Sequence, residues 1–498
     1  MGLFGQQSFP IGTVTLDGLA RAMLKPAAGV GRVASDARRP TVAIVGGGAS
    51  GTLLAARLLL GLTKATTPGR VVLIDPREGC GGLAYSTTDT SHRLNVTASR
   101  MSAFPEDAGH FVRWRARSVG AELPGAYASR VEYGRYLADV LVRARAAAAD
   151  DAQLDRLAAR VVALEPGPER VVLELAGGDR VVADIAVLAL GNLPATMPDA
   201  YRPLLGHPAL VEDPWQPGAL ERVAREAHGT VLLIGTGLTM VDVALTVAAR
   251  SPQARLVAAS RHGLLPRPHL VGRVAAVPAP TRVDTNVSFI ELVDRVLAES
   301  ERGRSRWHHL VDGLRPLTQA HWQRLSLEQR KTFMATRHRA WSVHRHRMAP
   351  EVATRLAALL AARRLEIRSG APALATRDDG ELVLGPEREL VSLVVNCTGP
   401  GLDPRTCDEP LVRQLLEAGY VRAHPLGMGF DTDPYGALRD DRGRPQPRLF
   451  TLGPPRIGDL YETTAIPEIR DEARDLARRC VVALDESRET LTIRASGA

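Results

Sequence analysis

The chain has 498 residues, 45% of them hydrophobic and 24% charged, which is too long for one core and too apolar for a disordered chain, so two or three domains are expected. Its net charge of +8 rests on 60 arginines and three lysines, Lys25, Lys64 and Lys331, spread along the whole length rather than gathered in a stripe, which argues against a nucleic-acid partner. The four cysteines, Cys80, Cys397, Cys407 and Cys480, form neither a CxxC pair nor metal-ligand spacing, so no metal and a reduced, cytoplasmic setting are expected; no apolar run reaches the ~18 residues that cross a bilayer, so no membrane is expected either.

In chain order, residues 1–40 mix Gly, Pro and Arg without periodicity and read as a mobile extension, with a short helix suggested near Leu19–Leu24. Thr41–Val45 then reads as a strand running into the glycine turn Gly46-Gly-Gly48-Ala-Ser50-Gly51, followed by a helix from Leu53 and a strand Arg70–Ile74 closed by Asp75. A lone GxGxxG is weak, but this one has its strand, its helix and its acid in place. Gly46 allows the turn, Gly48 lets the backbone approach a pyrophosphate, Gly51 lets helix and strand pack, Ser50 belongs to the same loop, and Asp75 is expected to accept from a ribose hydroxyl.

The grammar returns at Val231–Ile234 and Gly235-Thr236-Gly237-Leu238-Thr239-Met240, followed by a helix to Ala249 and a strand Arg255–Ala259. Met240 replaces the third glycine, which implies looser helix–strand packing. The acid is replaced by Ser260-Arg261-His262, and Arg261 can pair with a 2′-phosphate that a carboxylate would repel, so NADPH is favoured over NADH. Each loop is followed by a β-meander ending in a glycine: 160–164, 170–175 and 181–190 before Gly191, then 365–369, 381–385 and 390–395 before Gly399. The fold class expected is α/β, with two Rossmann-like dinucleotide-binding domains, β-meanders and a helical insertion. The first domain takes 41–215 plus 396–498, the second 216–395, and the insertion lies at about 283–350. Near the C-terminus, Gly453 marks a strand-to-turn and Pro467 suits the first turn of a last helix.

GGGASG (46–51), GGLAYST (81–87), HRLNVTASRMSAFP (92–105), GTGLTMVD (235–242), SRHGLLPR (260–267), WSVHRHRMAP (341–350) and LYETTAIPEIR (460–470) together resemble a bacterial family of FAD/NAD(P)-binding proteins over roughly residues 40–480. Members with assigned chemistry are similar to flavin-dependent monooxygenases, among them a FAD-dependent urate hydroxylase and an oxygenase of an amino-acid nitrogen. Thr97 stands where the family usually has proline after the Asn-Val pair. The resemblance implies FAD at the first loop, NADPH at the second, and molecular oxygen with a small-molecule substrate as partners.

Only Cys80 lies near the first loop, so a disulfide reductase, which needs a cysteine pair beside the flavin, is set aside. A FAD-dependent, NADPH-consuming monooxygenase acting through a C4a-peroxyflavin needs a dry pocket and no protein nucleophile; a flavoprotein reductase or dehydrogenase, and a non-catalytic redox sensor, are the alternatives. Asn95 is the candidate polar contact to flavin or substrate, next to Val96, and a loop-capping Asn is the competing reading. Tyr85 is expected beside the flavin or in the core, and the Gly453 turn with the Pro467 helix end near its pyrimidine. One of Arg345 and Arg347 is expected to reach the cofactor or an anionic substrate, urate and an amino-acid nitrogen being the named candidates, whereas His344 and His346 at i and i+2 make a poor metal chelate.

Overall fold

The structure is a computed structural model describing residues 39–62, 69–120, 123–148, 152–271 and 287–496, with side chains through Asp485. The expected N-terminal extension, with its helix near Leu19–Leu24, lies outside the described residues but for its last two positions. No helix among the described residues is long and apolar enough to cross a membrane.

Apolar β-branched strands bracketed by helices form two sheets. The first is six-stranded, in the order Ala437–Arg439, Pro445–Thr451, Ile185–Leu188, Thr41–Val45, Gly69–Ile74, Ala152–Leu157; all neighbours are parallel except the first pair. Thr41–Val45 is buried along its whole length, as a strand covered on both faces must be. The helix Ala49–Leu62 covers one face, and the C-terminal helix Ile466–Ser496 packs against it. Residues 161–183 form a separate three-stranded antiparallel sheet. The expected single strand 181–190 is in fact two: Arg180–Ala183 stays in that small sheet and Ile185–Leu188 enters the six-stranded one.

The second sheet has seven strands. Leu365–Ser369, Arg255–Ser260, Thr230–Ile234 and Glu389–Asn396 run parallel, and Leu374–Thr376 with Leu382–Leu384 adds an antiparallel hairpin. Leu365–Ser369, expected in a meander, is instead the parallel edge partner of Arg255–Ser260, because the helix Pro350–Ala361 returns the chain to that edge as a crossover must. Leu210–Val211 also joins this sheet beside Val394 and Val395, ahead of the expected crossing at 215.

Between 289 and 345 lie five helices, Phe289–Glu301, Trp307–Leu314, Thr318–Arg324, Leu327–Thr336 and His338–Arg345. Serines open two of them with reciprocal capping boxes, Ser288/Glu291 and Ser326/Gln329. Their shared core is aromatic, with Phe289, Trp322, Phe333 and Trp341 closed by Tyr461 from the C-terminal segment. Tyr461 has φ 63°, a conformation costly for a bulky residue. It is held there by stacking on Trp322 with centroids 4.5 Å apart and by a 2.8 Å hydrogen bond with His338 Nδ1.

Burial around this insertion holds His269, His308 and His338 neutral down to about pH 4, and His346 to about 3. The unfolded chain takes up these protons near pH 6.5 while the folded chain refuses them, so stability falls as pH falls from about 6.5 toward 4. Urea titrations are expected to give a lower midpoint at pH 5 than at pH 7, with a flatter dependence in His338→Gln and His346→Gln. An unchanged slope in both variants would show that these rings do not set the acid response.

Candidate functional site

Both glycine loops are built by the same close approach. Gly46 has φ 109° and Gly235 φ 115°; a Cβ on Gly46 would lie 2.3 Å from the Ala189 carbonyl oxygen, and one on Gly235 2.4 Å from that of Cys397. The Gly46 N–H donates to Ile74 O at 2.8 Å and the Gly235 N–H to Ala259 O at 2.7 Å. This superposes Asp75 on Ser260 in the two repeats. Gly51 is still more constrained, since its Cβ would fall 1.8 Å from the Gly46 carbonyl oxygen. Met240, at the matching place in the second loop, is fully buried in the apolar core of its own sheet.

A cleft of about 270 Å³ opens above the first loop. Of the predicted residues, Gly46, Gly48, Ser50, Asp75, Tyr85, Gly191, Leu238, Thr239 and Gly399 line it. The elements that carry both glycine loops thus converge on one space. Gly48 faces Gly82 of the GGLAY segment: a Cβ on Gly82 would lie 2.8 Å from Gly48 Cα, and one on Gly48 3.3 Å from Gly82 Cα, which is tight. Asp75 is buried and accepts from the Gly47 N–H at 2.7 Å and the Arg77 N–H at 2.8 Å, so it first ties the loop to the strand end. Tyr85 is held 4.8 Å from the Tyr133 ring, and burial raises its hydroxyl to about 12. Gly453, at φ 73°, leaves space for the Ser50 hydroxyl, which its Cβ would approach to 2.8 Å, and its N–H donates to the buried Glu472.

Other predicted residues stand apart from this cleft. Val96 packs into the core of the first sheet. The Asn95 carbonyl accepts from His269 at 3.0 Å, while its side-chain amide bonds to no other described residue. Thr464, Ile466 and Ile469 line the cleft, but Pro467, about 100° further round the helix, points into a different cleft of about 770 Å³ against the insertion. At the second loop Gly237 has open space around it. Thr236 bonds Ser260 Oγ at 2.8 Å and donates to Leu264 O at 2.6 Å. Arg261 is exposed beside them and forms no ion pair with a described residue.

Arg345 and Arg347, one of which is expected to reach the cofactor or an anionic substrate, both sit in ion pairs. Arg345 pairs with Glu462 at 2.8 Å and lies 3.9 Å from Glu468; Glu468 also takes a two-pronged bond from Arg315 at 2.8 and 3.0 Å. Arg347 is bonded to Asp312 and His308 and packs over Trp307. Both arginines are buried, and a buried charge must be neutralised where it sits. His344 bonds Ala340 O and Ser300, and His346 bonds Ser342.

Sequence reasoning missed Arg130, Trp215 and Asn396, which also line the cleft, and the polar face of the helix Leu238–Arg250. Asp242, Thr246 and Arg250 recur every four residues on a helix whose only other polar residue is Thr239, a stripe that was legible as a docking face.

Residues 43–193 match a family model described as FAD-NAD(P)-binding. No curated protein matches the chain by sequence. Among solved structures it is similar to ornithine hydroxylase from Pseudomonas aeruginosa, with 16% identity, 90% of this chain and 100% of that chain covered, and a TM-score of 0.59. It is similar to the ornithine N-hydroxylase of Kutzneria sp. 744, solved with reduced FAD, NADP+ and L-ornithine (14% identity, 89% and 99% covered, TM-score 0.55). It also resembles the cadaverine monooxygenase of Erwinia amylovora bound to FAD (12% identity, 88% and 94% covered, TM-score 0.59). At these identities the likeness is one of fold, a two-dinucleotide flavoprotein fold.

The glycine geometry separates two kinds of substitution. Gly51→Ala puts a methyl into a backbone carbonyl and is expected to yield insoluble or flavin-free protein. Gly48→Ala, whose Cβ meets Gly82 Cα at 3.3 Å, is expected to fold with reduced flavin content. Absorbance at the flavin bands against protein concentration reads both, and full flavin occupancy in Gly51→Ala is the result that contradicts the packing.

Proposed function

We propose that the chain is a FAD-dependent, NADPH-consuming monooxygenase that oxygenates a small polar substrate. The observation that carries the proposal is the duplicated glycine turn, with elements of both repeats lining one cleft: Gly48 and Ser50 from the first, Leu238 and Thr239 from the second. The cleft fits a dinucleotide, because Gly48 lines it with bare backbone and a helix N-terminus opens onto it. Bound there, FAD supplies the hydride acceptor and the reduced ring that reacts with oxygen.

The chain's own residues divide the work. Amides of Gly48 to Ser50 would face the pyrophosphate, while that of Gly47 is taken by Asp75, which presents its remaining lone pairs to the ribose. The Gly453 turn and the N-terminus of the helix Ile466–Ser496 bring positive potential toward the flavin ring. Gly235 to Leu238 hold the NADPH pyrophosphate, with Ser260 and Arg261 at the 2′-phosphate. The side-chain amide of Asn95, outside this cleft and bonded to no other described residue, would be offered to substrate or flavin. The 41–215 plus 396–498 and 216–395 units are the FAD and NADPH domains in this reading.

Arg345 and Arg347 are paired with Glu462 and Asp312, so these two add no weight to an anion such as urate. An amine nitrogen is the substrate atom we favour, in keeping with the ornithine and cadaverine enzymes that share the fold.

Cofactor choice is tested at the second loop. Arg261→Ala is expected to raise KM for NADPH about ten- to a hundredfold, the effect of losing roughly 1.5 to 3 kcal/mol of charge-assisted bonding, with NADH unaffected. Gly237→Ala is expected to fold and keep FAD but bind NADPH poorly. Unchanged selectivity in Arg261→Ala contradicts the assignment.

Reaction class is tested with a panel of diamines, basic amino acids, purines and aromatic acids under labelled oxygen. A monooxygenase gives a product carrying one labelled oxygen atom for each NADPH consumed. NADPH oxidation that only ever yields hydrogen peroxide points to a reductase or oxidase.

A further inference from the structure

The helix Leu238–Arg250 that opens from the second glycine loop buries Met240, Val241, Val243, Ala244 and Val247 in its own sheet's core. Its remaining face carries Asp242, Thr246 and Arg250, and each meets a polar residue of the first unit. Arg130 Nη2 donates to Asp242 Oδ2 at 2.9 Å, His92 Nε2 lies 2.9 Å from Thr246 Oγ1, and Arg250 pairs with Asp89 at 3.5 Å.

The hydrogen bonds run in one direction only. Thr246 donates to Asp89 Oδ2 at 3.0 Å, so its oxygen must accept from His92 Nε2–H. His92 Nδ1 is then an acceptor for the Thr87 hydroxyl at 3.0 Å, and Thr87 Oγ1 accepts the Asp89 N–H at 3.1 Å. Each proton has one place to go, so the face has one register. Arg130 is placed just as firmly. It starts the helix Arg130–Ala147, behind the Ser129/Glu132 capping box, it lies 5.6 Å over the Trp215 ring, and both residues line the first cleft.

We propose that this face, and the Asp242–Arg130 pair above all, is the positioning device that sets the second nucleotide loop against the first cleft for hydride transfer. It rests on the reading of both loops as dinucleotide sites. Leu238 and Thr239 line the cleft one helical turn from Asp242, so a displacement of Asp242 carries the loop with it. A charge pair sunk in an interface contributes little net stability, but an unpaired partner is strongly disfavoured, so the pair selects one docking geometry over its neighbours. Arg130 and Asp242 act through the helix and are positioning residues.

The test uses the flavin-loaded protein. Asp242→Asn keeps the shape and removes the charge. It is expected to retain FAD content and to be reduced by dithionite at the wild-type rate, with a lowered melting temperature because the Arg130 charge loses its partner, while anaerobic reduction by saturating NADPH slows by about ten- to a hundredfold, the scale of a roughly 1 Å misplacement. KM for NADPH is expected to change little. Amide exchange in 85–93 and 238–250 is expected to rise in the same variant, with no NADPH present. Wild-type exchange in those segments overturns the proposal, as does wild-type reduction by NADPH. Should NADPH fail to reduce the wild-type flavin, the functional reading falls, and amide exchange alone decides whether the face fixes the two units. Thr246→Val, which deletes the hydroxyl at constant volume, gives the same readouts should Asp242→Asn prove insoluble.

Discussion

The whole architecture depends on a contact that only glycine permits: a loop backbone pressed against the carbonyl of the neighbouring strand, at Gly46 on Ala189 and at Gly235 on Cys397. Once the chain accepts that turn, the strand end before it, the helix start after it and the third strand beside it are fixed relative to one another. The helix N-terminus then has nowhere to point but into the space above the sheet. The contact occurs twice with the same backbone hydrogen bonds, which is why two sheets of different strand number present equivalent loops.

The second constraint is the cost of burying charge. Arg315, Arg345, Arg347 and Arg456 are drawn into the junction between the insertion and the C-terminal helix, and each has its carboxylate, Glu468, Glu462, Asp312 and Glu472 respectively. Exposed to water such pairs would be worth little, but in a desolvated seam each residue is committed to its partner. The WSVHRHR and LYETTAIPEIR segments are therefore two halves of one joint, which accounts for their distinctive composition without requiring either to touch a ligand.

What was legible in the sequence was local. Glycine turns, the acid after the second strand, the Arg261 substitution and the helical character of the insertion all depend on neighbours within about two dozen residues. The Ala152–Leu157 strand was not legible, because AQLDRL alternates with charge and is a strand only through its parallel pairing with Gly69–Ile74. Leu365–Ser369 was recognisable as a strand, but its partner, Arg255–Ser260, lies more than a hundred residues away. The partner of Arg347 was not legible for a related reason. A guanidinium looks available until the fold brings Asp312 to it, and no spacing rule announces a partner chosen by tertiary packing.

Two units whose glycine loops open onto one cleft must keep a fixed relation for that cleft to keep its shape, and the choice of interface follows from that. An apolar seam would tolerate small slips between the units, since dispersion and area burial change little over a fraction of a turn. A polar seam does not, because a slip leaves hydroxyls, an imidazole and a carboxylate unpaired together. Here burial makes the His92 ring less basic, so it serves as a neutral donor and acceptor in a fixed sense, and Asp242 faces Arg130 at the rim of the cleft itself. Geometry is thereby specified at the cleft, while the apolar cores on either side supply the stability that such a seam does not.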